Sequence, residues 1–210
     1  MMVSPFTDWL SAIDIVPGDT VVVSSDVLPI LLKSRELRVK FKPVALIEAL
    51  QDRVGAHGTL LFPTFNWGFC RGEPFDIRTS RSETGALSQQ TLQMPGYVRT
   101  QHPIYSFSVW GKHQRDFIHL TNKTSWGLDS PFGLSVSLEA KNLFLGLDYS
   151  NGFTFDHHAE EIVKVDYRWQ KSFSGEYIDQ DGHSEHREYT MFVRDLERTV
   201  GTKIAPEFTK

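Results

Sequence analysis

The chain has 210 residues, of which 40% are hydrophobic and 12% aromatic, enough for one large domain or two small ones. Its 22 basic and 26 acidic residues give a formal net charge of −4 without a long basic run, which argues against a nucleic-acid binder that relies on phosphate contacts. The single cysteine, Cys70, excludes an internal disulfide and a multi-cysteine zinc site. Since no apolar run approaches the ~20 residues of a membrane span, we expect a soluble cytoplasmic protein.

The first part of the chain predicts strands that alternate with helices. The run 20–25 is almost entirely β-branched, which is typical of a strand buried on both faces. A helix is predicted over 42–50 with Pro43 in its first turn, and a second apolar strand follows at 59–65. Strand, helix and strand in this order predict a right-handed parallel crossover.

The next segment, 66–82, is rich in Gly, Pro, Trp, Phe and Arg, and its length without regular structure is typical of a functional or mobile loop. A helix is predicted at about 84–93. Ser80 followed three residues later by Glu83 fits a capping box at the start of that helix.

The second half ends in a different pattern. A half-buried strand at 105–111 and an apolar strand at 143–147 are each expected to join the sheet. Beyond them, two alternating segments flank an Asp-Gly turn, which predicts a β-hairpin. Asp179 and Asp181 superficially resemble a calcium loop, but the other ligands of that motif are missing and turn chemistry explains both residues.

The chemically densest stretch is 156–161, where two imidazoles and three carboxylates follow the last apolar strand. If a helix begins near Thr154, a good N-cap residue, His157 and Glu160 lie on one face with Cβ atoms roughly 5–6 Å apart. A carboxylate beside an imidazole fixes its tautomer and makes it a better general base. A solvated helix start that complements the helix dipole is the alternative. A metal site built from His157, His158 and Glu160 is a third, weakened because adjacent helical residues point about 100° apart.

Six short motifs of the chain occur in a fixed order. They are Ser24-Ser25 at a strand end, GTLLFPTF at 58–65, SETGA at 82–86, His102-Pro103 with Ser106 and Ser108, DSPFG at 129–133, and TFDHHAE at 154–160. In this order and spacing they resemble the aminoglycoside 3-N-acetyltransferase family, the antibiotic N-acetyltransferases that differ from the GNAT fold. The chain departs from the family at Val23, where members often carry histidine, and at Asp156, where they often carry leucine.

The resemblance implies a single α/β domain over 1–210. Its expected architecture is a three-layer α/β/α sandwich with a largely parallel central sheet and a C-terminal β-hairpin, and we expect the chain to stop short of a typical member's C-terminus. The resemblance also implies acetyl-CoA as co-substrate, a primary amine of a sugar as acceptor, and no metal. It leaves a homodimer open.

The resemblance also assigns roles to particular residues. His157 is the expected general base and Glu160 its support. The expected substrate-binding residues are His102, Asp129 and Asp156, and the expected coenzyme A-binding residues are Ser25, Ser82, Thr84 and Gly85. Two of these have a structural alternative, because His102 could make a strand-edge hydrogen bond and Asp129 could cap the helix near Pro131.

The acceptor is predicted from the loop 66–81, which is aromatic and balanced in charge rather than acidic. This composition suits a flatter or anionic sugar. The segments 66–70 and 167–171 also resemble family members of bacterial surface-polysaccharide loci. That resemblance implies an amino sugar, free or linked to a nucleotide, as the acceptor of the first hypothesis. The alternatives are an aminoglycoside antibiotic as acceptor, a non-catalytic protein that binds coenzyme A, and a metal hydrolase. The amino-sugar enzyme, the aminoglycoside enzyme and the non-catalytic protein would share one fold and differ only in the ligand.

Overall fold

The larger sheet of the computed structural model, which describes residues 6–198, contains five strands. They are β1 (Thr20–Ser25), β2 (Thr59–Pro63), β4 (Val98–Arg99), β5 (Phe107–Gly111) and β6 (Lys141–Leu145). Their order is β4-β5-β2-β1-β6. β1 is parallel to β2 and to β6, whereas β5 is antiparallel to both of its neighbours, so every strand except β5 points the same way. The predicted parallel crossover from β1 to β2 is confirmed.

Helices cover both faces of this sheet. They are α1 (Thr7–Ser11), α2 (Val27–Glu36), α3 (Pro43–Val54), α4 (Ala86–Thr91), α5 (Gln114–Ile118), α6 (Pro131–Ser137), α7 (Tyr149–Gly152) and α8 (Phe155–Val163). Pro43 occupies the first turn of α3, as predicted, where its missing N–H has no intrahelical partner to lose. Among the helices of residues 6–198, none combines the length and hydrophobicity that a bilayer crossing requires.

Two hydrophobic cores lie on opposite sides of the sheet because successive side chains of a strand point to opposite faces. In β1, Val21 and Val23 pack with α1 and α3 in one core, while Val22 faces the other. All three valines are at most 3% exposed, as the β-branched run predicts. The three-layer α/β/α sandwich expected from the family resemblance is therefore confirmed.

The smaller sheet contains β3 (Phe75–Asp76), β7 (Arg168–Ile178) and β8 (Ser184–Arg194), in the order β3-β7-β8. β7 and β8 form an antiparallel hairpin of 11 residues a strand, which confirms the predicted C-terminal hairpin. In the connecting loop, Gly182 adopts φ +87°, a conformation that glycine reaches without strain. Tyr177 and Tyr189 of this hairpin pack into the same core as Val22.

The predicted capping box at Ser80 and Glu83 is wrong. The Ser80 hydroxyl accepts from the Asp76 N–H, and Glu83 accepts from the Trp67 N–H at 2.9 Å, so neither side chain caps a helix. The Glu83 N–H donates to the Phe65 carbonyl, which ties this segment to the end of β2. α4 begins only after Gly85 and is shorter than predicted.

Candidate active site

A cavity of about 550 Å³ opens at the carboxyl ends of β1 and β2. Ser25 ends β1, Pro63 ends β2, and Leu147 follows β6, and all three lie on the cavity wall. Open α/β sheets bind their ligands at this edge, where connections leave a central strand toward opposite faces. The fold alone therefore predicts a ligand-binding site in this cavity.

His157 lies on the cavity wall in the first turn of α8, with 28% of its side chain exposed. Its Nδ1 is 2.9 Å from Oε2 of Glu160, so the contact predicted from the three-residue spacing is present. Oε1 of Glu160 accepts a hydrogen bond of 2.9 Å from the Tyr167 hydroxyl. The two carboxylate oxygens of Glu160 thus contact different partners, Oε2 the imidazole of His157 and Oε1 the hydroxyl of Tyr167.

Arg168, the first residue of β7, contacts the same pair. Its Nε is 2.8 Å from Oε2 of Glu160 and its Nη2 is 3.1 Å from Nδ1 of His157. Burial disfavours the charged form of Glu160, but hydrogen bonds from His157 and Tyr167 and the charge of Arg168 outweigh it and lower the pKa of this carboxyl. Glu160 therefore stays ionised at neutral pH.

The hydrogen bonds at Nδ1 decide which nitrogen of His157 is basic. An ionised carboxylate only accepts and a guanidinium only donates, so Glu160 and Arg168 compete for Nδ1. The shorter contact is with Glu160, which favours a proton on Nδ1 and leaves Nε2 as the basic nitrogen. This arrangement suits an imidazole that takes a proton from a ligand in the cavity.

The start of α8 differs from the prediction in one respect. Thr154 precedes α8 as expected, but it has helical angles (φ −69°, ψ −11°) and its side chain makes no capping hydrogen bond. α7 ends only two residues earlier, so the chain is already coiled there. Asp156 accepts from the His157 N–H at 2.8 Å instead, and burial raises the pKa of its carboxyl. Thr154 lines the cavity.

His102 is not on the cavity wall. It is 1% exposed, and its Nδ1 accepts from the backbone N–H groups of Ile104 and Tyr105, close to the structural alternative considered for it. Burial lowers the pKa of this imidazole to about 3. The backbone hydrogen bonds and the surrounding core hold the ring in the interior, so it lies behind the site rather than in it.

Asp129 is exposed and lies outside the cavity lining. It does not cap α6 either, because Ser130 is the N-cap residue and its hydroxyl accepts from the Gly133 N–H at 3.4 Å. The structure therefore brings His157, Glu160 and Asp156 together and leaves His102 and Asp129 apart from them.

Three of the four residues expected to bind coenzyme A line the cavity, namely Ser25, Thr84 and Gly85. Ser82 stands behind them, with its Oγ 2.9 Å from Oγ1 of Thr84. The Ser25 hydroxyl is buried and has no hydrogen-bond partner within residues 6–198, which is unusual for a buried polar group. These hydroxyls and the backbone beside Gly85 suit a polar ligand that enters from this side.

An aromatic wall completes the site, and sequence reasoning did not assign it. Phe65, Trp67 and Tyr105 line the cavity, and the buried Trp126 packs against His157 with ring centres 4.8 Å apart. The composition of the loop 66–82, which contains Trp67, predicts a functional or mobile segment. The approach of Tyr105 and Trp126 depends on tertiary packing, so no local pattern indicated it.

The arrangement does not favour the metal interpretation of His157 and His158. Nδ1 of His158 contacts the Trp126 carbonyl oxygen, whereas Nδ1 of His157 contacts Glu160. In the described part of the chain, the group with the spacing of a metal site is Asp179, Asp181 and His183 in the hairpin loop. There Asp179 accepts from the N–H groups of the other two, which is the turn chemistry predicted for it.

Comparison with known proteins agrees with the resemblance. A family model described as aminoglycoside 3-N-acetyltransferase matches residues 33–209. Aminoglycoside N(3)-acetyltransferase IV of Salmonella sp. is 31% identical over 128 residues, which are 60% of this chain and 48% of that protein. The aminoglycoside N(3')-acetyltransferase-like protein YokD of Bacillus subtilis (strain 168) is 28% identical over 228 residues, covering 96% of this chain and 79% of YokD. The alignment thus spans about half the length of the first relative.

Solved structures share the fold. The crystal structure of aminoglycoside acetyltransferase AAC(3)-Xa superposes with a TM-score of 0.76 at 26% identity. The superposition covers 92% of this chain and 72% of that one. The fold described above is therefore that of a known acetyltransferase over nearly the whole of this chain.

Proposed function

Because the chain belongs to the aminoglycoside 3-N-acetyltransferase family, we propose that it transfers the acetyl group of acetyl-CoA to a primary amine of an aminoglycoside. The observation that carries the proposal is the contact of 2.9 Å between His157 and Glu160 on the wall of the cavity. The names of the relatives favour an antibiotic acceptor over the surface-polysaccharide amino sugar that the segments 66–70 and 167–171 suggested. A related acetyltransferase, AAC(3)-IVa, 27% identical, has been solved in complex with a gentamicin.

The coenzyme A side of the proposal rests on Ser25, Thr84 and Gly85. A protein of the same fold, AAC-IIIb, has been solved in a binary complex with CoASH. Hydroxyl and N–H groups at the start of a helix suit the phosphates of coenzyme A. The cavity volume of about 550 Å³ leaves room for the thioester end of such a ligand, and the unpartnered Ser25 hydroxyl belongs to a residue of the cavity wall.

The chemistry requires a base. An alkylammonium with a pKa of ~10.4 is only about 0.04% free amine at pH 7, equivalent to a barrier of roughly 4.6 kcal/mol. A positioned general base supplies ~10²–10⁴-fold, or about 3–5 kcal/mol. We assign this role to Nε2 of His157, because the ionised Glu160 stabilises the imidazolium that results.

Asp156 suits the acceptor. Its side chain is 46% exposed beside His157, with Oδ1 3.2 Å from Nδ1, so a carboxylate is available near the base. Asp156 is not part of the cavity lining itself, whereas Asp26, an exposed carboxylate, lies on the cavity wall. Two carboxylates at this site favour a ligand with more than one ammonium group.

The test is a thiol-release assay with acetyl-CoA against gentamicin, sisomicin and nucleotide-linked amino sugars. We expect turnover with the aminoglycosides and a kcat lowered by ~10²–10⁴-fold in His157→Ala, with coenzyme A affinity retained. His186→Ala is the matched control, because that imidazole is exposed on β8, away from the cavity lining.

Each other result has a defined meaning. Unchanged kcat in His157→Ala would remove this residue from the mechanism. Turnover with nucleotide-linked amino sugars alone would restore the first acceptor hypothesis. Thermal stabilisation by coenzyme A without thiol release from any amine would support the non-catalytic alternative.

A further inference from the structure

Acetyl transfer from a thioester places negative charge on the carbonyl oxygen, and the base does not stabilise that charge. A hydrogen-bond donor on the cavity wall must do so. Tyr105 lies between β4 and β5, is 7% exposed and lines the cavity. Its ring packs against Trp126 with centres 4.7 Å apart, and Trp126 packs against His157 at 4.8 Å. One indole thus supports both the base and a phenol on the same cavity.

The hydroxyl proton of Tyr105 is free to be donated. Its oxygen accepts a hydrogen bond of 3.5 Å from Nε1 of Trp67, and within residues 6–198 no group accepts from this hydroxyl. A phenol has one proton to give and also accepts, so the Trp67 contact leaves the proton unused. Burial raises the pKa of Tyr105 to about 12, which keeps this group protonated at neutral pH.

Other side-chain donors on the wall are less suited. Oγ1 of Thr84 contacts the Pro63 carbonyl and so gives its proton to the backbone. Nε1 of Trp67 is directed at Tyr105. Ser25 and Thr154 each have a hydroxyl group and line the cavity. Ser25, however, lies at the end of β1 among the residues assigned to coenzyme A. Thr154, three residues before His157, is the main competitor.

We propose that the Tyr105 hydroxyl donates a hydrogen bond to the thioester oxygen during acetyl transfer, an inference that rests on the proposed function. Nε2 of His157 first takes a proton from the bound ammonium and releases it to solvent, and the nitrogen lone pair of the amine then forms a bond to the carbonyl carbon. The π electrons move to the oxygen, which Tyr105 stabilises, while Nε2 of His157 takes the extra proton from nitrogen. When the carbonyl re-forms, the C–S bond breaks, and the imidazolium gives its proton to the leaving sulfur, so amide and CoASH are the products.

The experiment is Tyr105→Phe, which removes the hydroxyl and keeps the ring that packs against Phe65 and Trp126. We expect kcat to fall by ~10²–10³-fold, as for the loss of one oxyanion donor, with coenzyme A affinity unchanged. Tyr97→Phe is the matched control. It removes a partly buried phenol that accepts a hydrogen bond from Gln51 on the opposite face of the sheet, and it should leave kcat unchanged.

A second readout does not depend on turnover. Bound acetyl-CoA with a ¹³C-labelled carbonyl should show a lower C=O stretching frequency in the wild type than in Tyr105→Phe, because the hydroxyl polarises that bond. Equal kcat and equal frequency in both proteins, with kcat lost in Thr154→Val instead, would overturn the inference and assign the donor to Thr154. If the wild type releases no thiol with any amine, the proposed function fails, and the carbonyl frequency still decides whether Tyr105 contacts the thioester.

Discussion

Three imidazoles near the cavity differ because their surroundings differ. His157 is partly exposed and contacts an ionised carboxylate, so it is suited to exchange a proton with a ligand. His158 is 8% exposed and contacts the Trp126 carbonyl oxygen, so it helps fix the indole that supports His157. His102 is fully interior and accepts two backbone hydrogen bonds. Their sequence context alone did not separate these roles.

His102 should make the stability of the protein depend on pH. Its folded pKa is lowered from 6.5 to about 3, so the buried ring is neutral. Below the unfolded pKa of ~6.5 the unfolded chain binds a proton that the folded state does not, and the free energy of unfolding falls by about 1.4 kcal/mol per pH unit. By pH 5 this residue should have removed about 2 kcal/mol. The stability is fully present above pH ~6.5 and is lost as the pH falls toward 3.

Urea unfolding of His102→Asn at pH 7.5, 6.5 and 5.5 checks this prediction. The amide oxygen of Asn can replace Nδ1 as the acceptor for Ile104 and Tyr105, but it does not titrate. We expect a flatter pH profile than in the wild type. The same substitution at the exposed His186 should leave the profile unchanged, and parallel profiles for wild type and His102→Asn would contradict the assignment.

At the scale of elements, the sequence predicts those parts whose pattern is local. The β-branched run of β1, the apolar run of β2 and the alternation of β7 and β8 each determined a strand that the structure contains. The contact between His157 and Glu160 was also predictable, because both residues belong to one helical turn.

The remaining parts depend on contacts distant in sequence. Arg168 reaches Glu160 only because β7 places it there, and no pattern within α8 indicates this. Ser80 and Glu83 fit the local pattern of a helix start. In the structure, however, their side chains accept hydrogen bonds from the backbone N–H groups of Asp76 and Trp67. The contact of Glu83 is distant in sequence and that of Ser80 is local, and both replaced the helix cap that the local pattern predicted.

Gly85 is the residue on which the start of α4 depends. It has φ +105° and ψ 174°, and an added Cβ would lie 3.2 Å from the Ser25 carbonyl oxygen. Gly85→Ala should cost about 1–3 kcal/mol of stability through backbone strain. The strain should also displace Thr84 and Ser25, which flank it on the cavity wall, and weaken coenzyme A binding by about tenfold, or 1.4 kcal/mol.

Calorimetric titration with coenzyme A and urea unfolding measure the two effects. Gly18→Ala is the matched control, because Gly18 has φ +98° with nothing within 4 Å of an added Cβ. It lies before β1, outside the cavity lining, and should lose stability without losing affinity. Equal affinity in Gly85→Ala and the wild type would separate this turn from the ligand.

At the scale of the whole molecule, the sheet separates a core that supports the site from one that does not. The core that contains Phe65, Tyr105, Trp126 and Phe132 borders the cavity and reaches α8 through Phe155. The opposite core contains Leu50 and the inner face of α3. Residues of equal burial therefore have different consequences for the site.

Mutations in the two cores should differ in their effect on kcat, although both lower stability. Leu50 is 0% exposed, and Leu50→Ala should cost about 2–5 kcal/mol, the range for a buried leucine, while kcat well below the melting temperature stays unchanged. The Phe132 ring packs against that of Phe107 with centres 5.2 Å apart and against that of Phe155, the first residue of α8, at 5.1 Å. Phe132→Leu removes that ring support, so it should lower kcat as well as stability, because a small displacement of His157 misplaces the base.

Unfolding free energies and thiol-release rates of both variants, measured at one temperature, test this difference between the two cores. If kcat fell in proportion to lost stability on both faces, the site would depend on the sheet as a whole rather than on the core beneath it.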